Sequence, residues 1–418
     1  MNKVSRAARV AGACLAAAMM LAAPLSQAKT TLKVWAIPWS DSAHAAFEGM
    51  IADYTAQHPD VDVKLETRGI DEHKTALRVA INSGQGPDIY YMWGGLGLGG
   101  EFVAAGASYP LDQAYAKYKW DDRFSPASLT DSRRYAGGRQ GIPFLIHGEG
   151  LYYNKALFAK AGIKQPPQTY DELVADAEKL KAVHIPALVF GGSVNWHLMR
   201  LMDELLETKC GAVKHDALMN LKAGWSTEPC ATASFVEMKR WADNYMLKPF
   251  MGLADDQAQG LFYAGRAAMA LEGDWFVQMI KAHSDLSNYG LFLFPTGTQR
   301  LYFFSEYFYV SAKGPSKDAA IDFLNFITSP AEQQKNLGKF SSTSVVKGLD
   351  YKSDTLELDN TWRQILANSK DTYANGDQAF PLDVTTEYWR IINQVASDNM
   401  EPPAAAKAMQ TFIANRKH

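Results

Sequence analysis

The sequence predicts an α/β protein built in two units, and three observations carry that prediction. The chain has 418 residues, more than one hydrophobic core ordinarily serves, so two domains are expected. Residues 31–93 alternate strand and helix patterns. The alternation returns after GIPFLIHGEG (141–150).

The first strand is TLKVWA (31–36), with alternating apolar residues. Phe47, Met50, Ile51 and Tyr54 then recur at i, i+3, i+4, i+7, one face of a helix. HPDVDVKLETR supplies a turn and a strand with Val61, Val63 and Leu65 on one face. A helical stretch runs to Ser83, and GQGPDIYYMW feeds a third strand ending at Trp93. Strand, helix, strand, helix, strand argues for a layer with parallel pairing. GGLGLGG (94–100) fits neither a dinucleotide nor a phosphate-loop pattern and reads as a flexible loop.

The second unit follows GIPFLIHGEG. TYDELVADAEKLKA opens on Thr169 with Glu172 three residues on, a capping box. PALVF is a buried strand, and helical stretches follow near 196–208 and 231–246. Residues 262–276, FYAGRAAMALEGDWF, form a helix end at Gly265 and a short buried strand. That strand stops on Gly273, Asp274 and Trp275. YGLFLFP and FFSEYFYVSA (303–312) are further strands. SKDAAIDFLNFITSP is an amphipathic helix with Ser316 as expected N-cap. SPAEQQKNLG has Ser329, Pro330, Glu332 and Gly338 in the order of a short capped helix.

Residues 1–28 stand apart. Lys3, Arg6 and Arg9 precede an apolar run, and SQA before Lys29 fits a signal-peptidase site, so cleavage after Ala28 is expected. Cys14 has too little apolar sequence before it, and no Leu three residues upstream, for lipoprotein processing. No later stretch is long and apolar enough to span a bilayer. Cleavage removes three cations and no acid from a chain of formal charge −3. An acidic export product without a Lys/Arg block excludes nucleic acid as the expected partner. Cys210 and Cys230 remain. An even pair in an oxidising compartment predicts a disulfide; the plain alternative is two small buried thiols.

No catalytic or metal pattern occurs: neither HExxH, nor a His/Cys cluster at zinc spacing, nor a GxSxG elbow, nor a phosphate loop. Aromatics beside turns are the positive signal. Trp39, Trp93, Trp196 and Trp275 each follow a predicted strand, where α/β layers gather ligands. Tyr388 and Trp389 lie in EYWRI. Flat rings match the apolar faces of a pyranose, and planar polar groups match its hydroxyl rim. Asp41, Glu149, Asp274, Glu306 and Arg390 stand near those rings or between the layers. Each of these residues also has a bland reading, as core aromatic or solvated surface charge.

Taken in order, LKVWA, ADYTAQHPDVDVKLE, INSGQGPDIYYMW, GRQGIPFLIHGEGLYYNKALFAKAG, PPQTYDELVADAEKL, FYAGRAAMALEGDW, FPTG and KDAAIDFLNFITSPAEQQ identify a family. The chain resembles the family 1 extracellular solute-binding proteins of ABC importers, the maltose-binding-protein-like carbohydrate class, over most of its length after residue 28. The resemblance implies the two-lobed type II periplasmic-binding-protein fold, with the ligand in a cleft between lobes joined by crossing strands. FLIHGEG is then the first crossing, 300–306 the second, and a third follows SPAEQQ. Lobe I is expected at 29–146 plus 304–340, and lobe II at 147–303 plus 341–418. The resemblance places Trp275 against sugar, Trp93 opposite it, and Trp39 and Asp41 after the first strand. It places one of Tyr388 and Trp389 in the cleft.

The implied function is a periplasmic, monomeric sugar- or oligosaccharide-binding subunit that delivers its ligand to the membrane permease subunits, without cofactor, metal or catalysis. Within the binding class the rival is a polyol phosphate or polyamine. From another class the rival is a secreted carbohydrate hydrolase, which needs two carboxylates facing one bond.

Overall fold

A computed structural model describes residues 29–351, 357–369 and 371–416. The expected signal peptide, residues 1–28, lies outside them.

The walk along the chain is β1 (Thr30–Ala36), α1 (Asp41–Gln57), β2 (Val61–Thr67), α2 (Ile70–Ser83) and β3 (Ile89–Trp93). After short helical turns comes the 13-residue strand β4 (Ile142–Asn154), then α3 (Tyr170–Ala182) and β5 (Leu188–Val189). Next are α4 (Asn195–Met219), α5 (Pro229–Asn244), α6 (Asp255–Tyr263), β6 (Met269–Gly273), α7 (Phe276–His283) and β7 (Tyr289–Phe292). The 11-residue strand β8 (Arg300–Val310) leads to α8 (Lys317–Ile327), α9 (Pro330–Lys335) and α10 (Glu357–Asn368). β9 (Asp371–Tyr373), α11 (Leu382–Ala396) and α12 (Pro402–Ala414) close the chain.

The strands order as β2-β1-β3-β8-β4-β6-β5, with β7 on β4 and β9 on β8. β1 pairs parallel with β2 and β3, as the alternation predicted. β4 and β8 run antiparallel through the middle, Ile142 opposite Phe308 and Gly148 opposite Phe303. The first half of β4 belongs to the first sheet. Its second half, Glu149–Tyr153, pairs with β6. The result is a two-lobed α/β fold on a curled sheet, with β4 and β8 as crossing strands.

Apolar packing fills both lobes. In the first, Phe47 stacks on Phe308 with centroids 5.6 Å apart and meets Phe323 edge-on. In the second, Leu201, Leu205, Phe235, Trp241 and Ile391 are fully buried among α4, α5 and α11. Burial of each such side chain contributes about 1.5–3 kcal/mol.

The caps follow the sequence with two differences. Thr169 Oγ1 accepts the Glu172 N–H at 3.2 Å, but the Glu172 carboxylate accepts from Gln168 N, one residue further back than a capping box requires. Ser329 caps α9, with Pro330 in its first turn. Ser316 stands at the N-cap position of α8 without a side-chain cap bond; its φ of −110° and ψ of 51° leave the extended geometry such a bond needs. Cys210 and Cys230 form a disulfide joining α4 to α5, with Cα atoms 5.0 Å apart. No described helix is long and apolar enough to cross a membrane.

Candidate functional site

A cleft of about 820 Å³ lies where the crossing strands meet the two lobes. The first lobe contributes the β1–α1 turn, α2 and the end of β3. The second contributes α4, α6, the β6–α7 turn and the segment before α11. His147, Glu149, Phe304 and Glu306 come from the crossing strands.

Of the residues singled out in the sequence, Trp39, Asp41, Trp93, Glu149, Trp196, Trp275 and Glu306 line this one cleft. Trp39 follows β1 and packs on Phe47 and, edge-on, on Phe340. Asp41 opens α1, whose N-cap Ser40 accepts the Ala43 N–H. Trp93 ends β3, opposite Glu306 in β8, with Lys74 Nζ 5.1 Å from its ring centroid.

The GDW turn explains its own composition. The Trp275 ring folds back over Gly273, where a Cβ would lie 1.9 Å from it, so only glycine fits. Tyr152 Oη donates to Gly273 O at 2.8 Å and accepts the Trp362 indole N–H at 2.7 Å. Asp274 pins the turn: Oδ1 sits 2.6 Å from His147 Nδ1, and Oδ2 accepts the Ser342 N–H at 2.9 Å.

Four expected contacts are therefore corrected. Asp274 is buried with both oxygens engaged, and it positions Trp275 without lining the cleft. Tyr388 is fully buried and donates to Asp203 Oδ1 at 2.8 Å. Trp389 is half-buried, with its indole N–H on Met199 Sδ, and lines a separate small cavity. Arg390 faces solvent, bound to Glu387 one turn earlier. The helical period decides this set: Tyr388 takes the core face of α11, which turns its neighbours away.

Arg200 was not anticipated, and it organises the cleft. Its guanidinium carbon stands 4.5 Å from the Trp196 ring centroid and 5.1 Å from that of Trp275, so the cation lies between two rings. It bonds Glu272 at 2.7 Å and approaches Glu149 at 3.3 Å. Burial would lower its pKa; Glu149 and Glu272 outweigh that and raise it. Burial pushes Glu149 up to about 8 against the pull of Arg200. Burial likewise raises Asp377 to about 6, opposed by Lys74 and Arg200. Burial would lower His147, but Asp274 and Glu306 carry it to about 10. Glu149 Oε2 and Asp377 Oδ1 are buried acceptors without a partner. The cue for Arg200 was an arginine inside the apolar helical run HLMRLM, one turn after Trp196.

The GGLGLGG loop is packed, in place of the flexible loop expected. Leu96 N–H donates to Gln378 O at 2.7 Å, joining the first lobe to the second. A Cβ on Gly95, whose φ is +99°, would lie 2.3 Å from Gln378 Cα; one on Gly97 would lie 2.6 Å from Asp377 O.

Among the described residues, His197, Asp255 and Glu272 have metal-ligand spacing. Several of their atoms are already engaged. Gly191 N–H donates to His197 Nδ1 at 2.9 Å, and Arg200 and Gln259 donate to the two Glu272 oxygens. The guanidinium beside Glu272 also repels a cation.

A family model described as bacterial extracellular solute-binding protein matches residues 39–334. A probable sugar-binding periplasmic protein of Rhizobium meliloti is 26% identical over 79% of this chain and 78% of its own. An uncharacterized ABC transporter extracellular-binding protein of Pyrococcus horikoshii is 26% identical over 78% and 76%. Among solved structures, a chitin oligosaccharide binding protein superimposes with a TM-score of 0.83 at 23% identity, covering 92% of this chain and 98% of its own.

Proposed function

Because the chain belongs to the bacterial extracellular solute-binding protein family and serves an ABC transporter as its substrate-binding component, we propose that it takes a neutral sugar or oligosaccharide into the cleft between its lobes. One observation carries the choice of ligand: four tryptophans, Trp39, Trp93, Trp196 and Trp275, share a cleft whose charges nearly balance. Asp41, Asp255, Glu306 and Asp377 face Lys74, Arg200, Lys281 and the protonated His147, while Glu149, pushed by burial up to about 8, is largely uncharged at neutral pH. A phosphate would want a cationic excess and a polyamine an anionic one. The unpartnered Glu149 Oε2 and Asp377 Oδ1 suit hydroxyl donors, because a buried acceptor is costly until it is bonded. The sugar-binding relative supports the same class.

The protein acts in the periplasm after removal of residues 1–28, as a monomer, and hands its ligand to the permease. Its lobes divide at 29–146 with 304–340 and at 147–303 with 341–418.

The ligand leaves chemically intact. Glu149, with its raised pKa, resembles a general acid, but a hydrolase needs an ionised carboxylate across the bond. Asp274, one candidate partner for Glu149, has both oxygens occupied. Thermal-shift screening of the purified protein against mono- and oligosaccharides tests the reading, since a ligand that binds only the native state raises its melting temperature. A sugar that stabilises and is recovered unaltered supports it. Stabilisation only by phosphorylated or polycationic solutes, or release of shorter sugars, overturns it.

A further inference from the structure

Behind the cleft, α4 carries three buried acids, Asp203, Glu204 and Glu207. Glu207 pairs with Arg300 at the start of β8, and Glu204 accepts from Tyr373 Oη in β9. Asp203 is fully buried, and among the described residues no cation bonds it. Arg200 is committed to Glu149 and Glu272, and Arg300 to Glu207 and Asp216. Three neutral donors converge on Asp203 instead. Tyr302 Oη of β8 and Gly376 N–H each donate to Oδ2 at 2.8 Å. Tyr388 Oη of α11 donates to Oδ1 at 2.8 Å.

Gly376 belongs to the segment that meets the first lobe. Asn375 and Asp377 line the main cleft, and Gln378 O accepts the Leu96 N–H at 2.7 Å. Asn375 Oδ1 accepts the Gln378 N–H at 3.2 Å, so the segment is tied across itself. A Cβ on Gly376 would lie 2.8 Å from the Tyr388 ring, which leaves the segment little room to shift. Asp203 is therefore one hydrogen bond from Gly376, and Gly376 is two residues from the bond between the lobes.

This bonding suits a carboxylate and not a carboxylic acid. All three donors point at Asp203, so an added proton meets another hydrogen on either oxygen. One hydroxyl must then turn away; that of Tyr388 turns among the rings of Trp225 and Phe380. The bonds that remain lose their charge assistance. Burial pushes the Asp203 carboxyl up to about 7, against the pull of Gly376, Tyr302 and Tyr388, and the charge of Asp377 adds to the rise. Glu149 on β4 and Glu204 beside it on α4 face the same space, and burial raises both. The proton on Asp203 thus exchanges near neutrality.

We propose that Asp203 is a positioning residue: as a carboxylate it holds residues 375–378 against the glycine loop of the first lobe, and on taking up a proton it releases them, so that closing the cleft is linked to loss of a proton. The proposal does not depend on the class of solute. The linkage is reciprocal: a solute that favours the joined lobes expels the proton, and acid weakens its binding.

The test is amide hydrogen exchange at Gly376 and Leu96, read as protection relative to the intrinsic rate between about pH 5 and 8.5. Wild type, Asp203→Asn and Tyr388→Phe are measured alone and with an excess of maltotriose, xylotriose or chitotriose. Wild-type protection of both amides should fall about tenfold or more as the pH drops through about 7. Tyr388→Phe removes a donor that lowers the Asp203 pKa, so its midpoint should move up by about one pH unit. Asp203→Asn puts an NH2 in place of one oxygen and imitates the neutral acid; its protection should be low and level across the range. Melting curves check folding, and Tyr388→Phe carries the test if Asp203→Asn does not fold. Level protection of Gly376 in wild type, an unmoved midpoint in Tyr388→Phe, or a Leu96 amide that is unprotected throughout or does not follow Gly376 overturns the proposal. A protein that no trisaccharide affects counts against the sugar reading, and the two amides in the protein alone then decide the role of Asp203.

Discussion

Leu96 N–H donates to the carbonyl of Gln378 at 2.7 Å, and these residues belong to different lobes. The bond is possible because Gly95 and Gly97 bring backbone against backbone, where any Cβ collides. The loop therefore acts as a clasp across the cleft.

Gly97→Ala should weaken ligand binding while leaving each lobe folded. Its Cβ would meet Asp377 O at 2.6 Å and Phe380 O at 2.7 Å only when the lobes touch. Overpacking of this kind costs about 1–3 kcal/mol, here charged to closure. Small-angle scattering with saturating ligand should show a larger radius of gyration than wild type, and titration a weaker Kd. An unchanged radius and affinity would show that the loop does not govern closure.

Trp275→Ala should cost binding more than folding. The ring is half-buried, with His147 edge-on at 5.1 Å and Arg200 over its face. Losing such an anchor costs about 2 kcal/mol or more of affinity. Titration beside a melting curve separates the effects; a collapsed melting temperature with unaltered affinity would make Trp275 a core residue.

Stability should fall as pH rises above neutrality. His147 has its pKa raised from 6.5 to about 10, so its ion pairs with Asp274 and Glu306 stabilise fully below pH 6.5 and fade as pH climbs through 10. Glu149, raised from 4.5 to about 8, acts with the same sign: its burial grows costlier from pH 4.5 to 8. His147→Gln should be destabilised by about 3–5 kcal/mol at pH 6 and show a flatter decline in melting temperature between pH 6.5 and 10. Parallel curves for wild type and variant would remove His147 from the account.

Breaking the disulfide by Cys230→Ser should lower stability by about 3 kcal/mol, the loop-closure value for a sequence separation of 20. Intact mass before and after reduction and alkylation checks the bond itself. Two freely alkylated thiols in native exported protein would contradict it.

What could be read from sequence was what local pattern encodes. The apolar alternation of TLKVWA and the i, i+3, i+4, i+7 spacing in α1 require only near neighbours, and both elements appear where expected. Tryptophans at strand ends were legible too, because topology sends those ends to one cleft. What escaped depends on partners distant in the chain. Nothing near Asp274 announces that Ser342 and His147 occupy its oxygens. Nothing near Arg200 announces Glu149 and Glu272. The glycines of 94–100 suggest freedom by composition, yet they serve close contact with a segment near residue 378.

The position of β8 has a consequence for how the chain acquires its shape. β8 lies between β3 and β4, yet it is synthesised after both. Ile89 must wait for Val310, roughly 200 residues later, and pairings of such long range make folding slow. At roughly 5–20 residues per second, the first lobe's sheet lacks a central strand for about 10–40 s of synthesis. During that interval the edges of β3 and β4 stay open, so an emerging chain lacks a finished first domain. The same ordering ties the two lobes' fates together, because the strand that completes one is also the strand that enters the other.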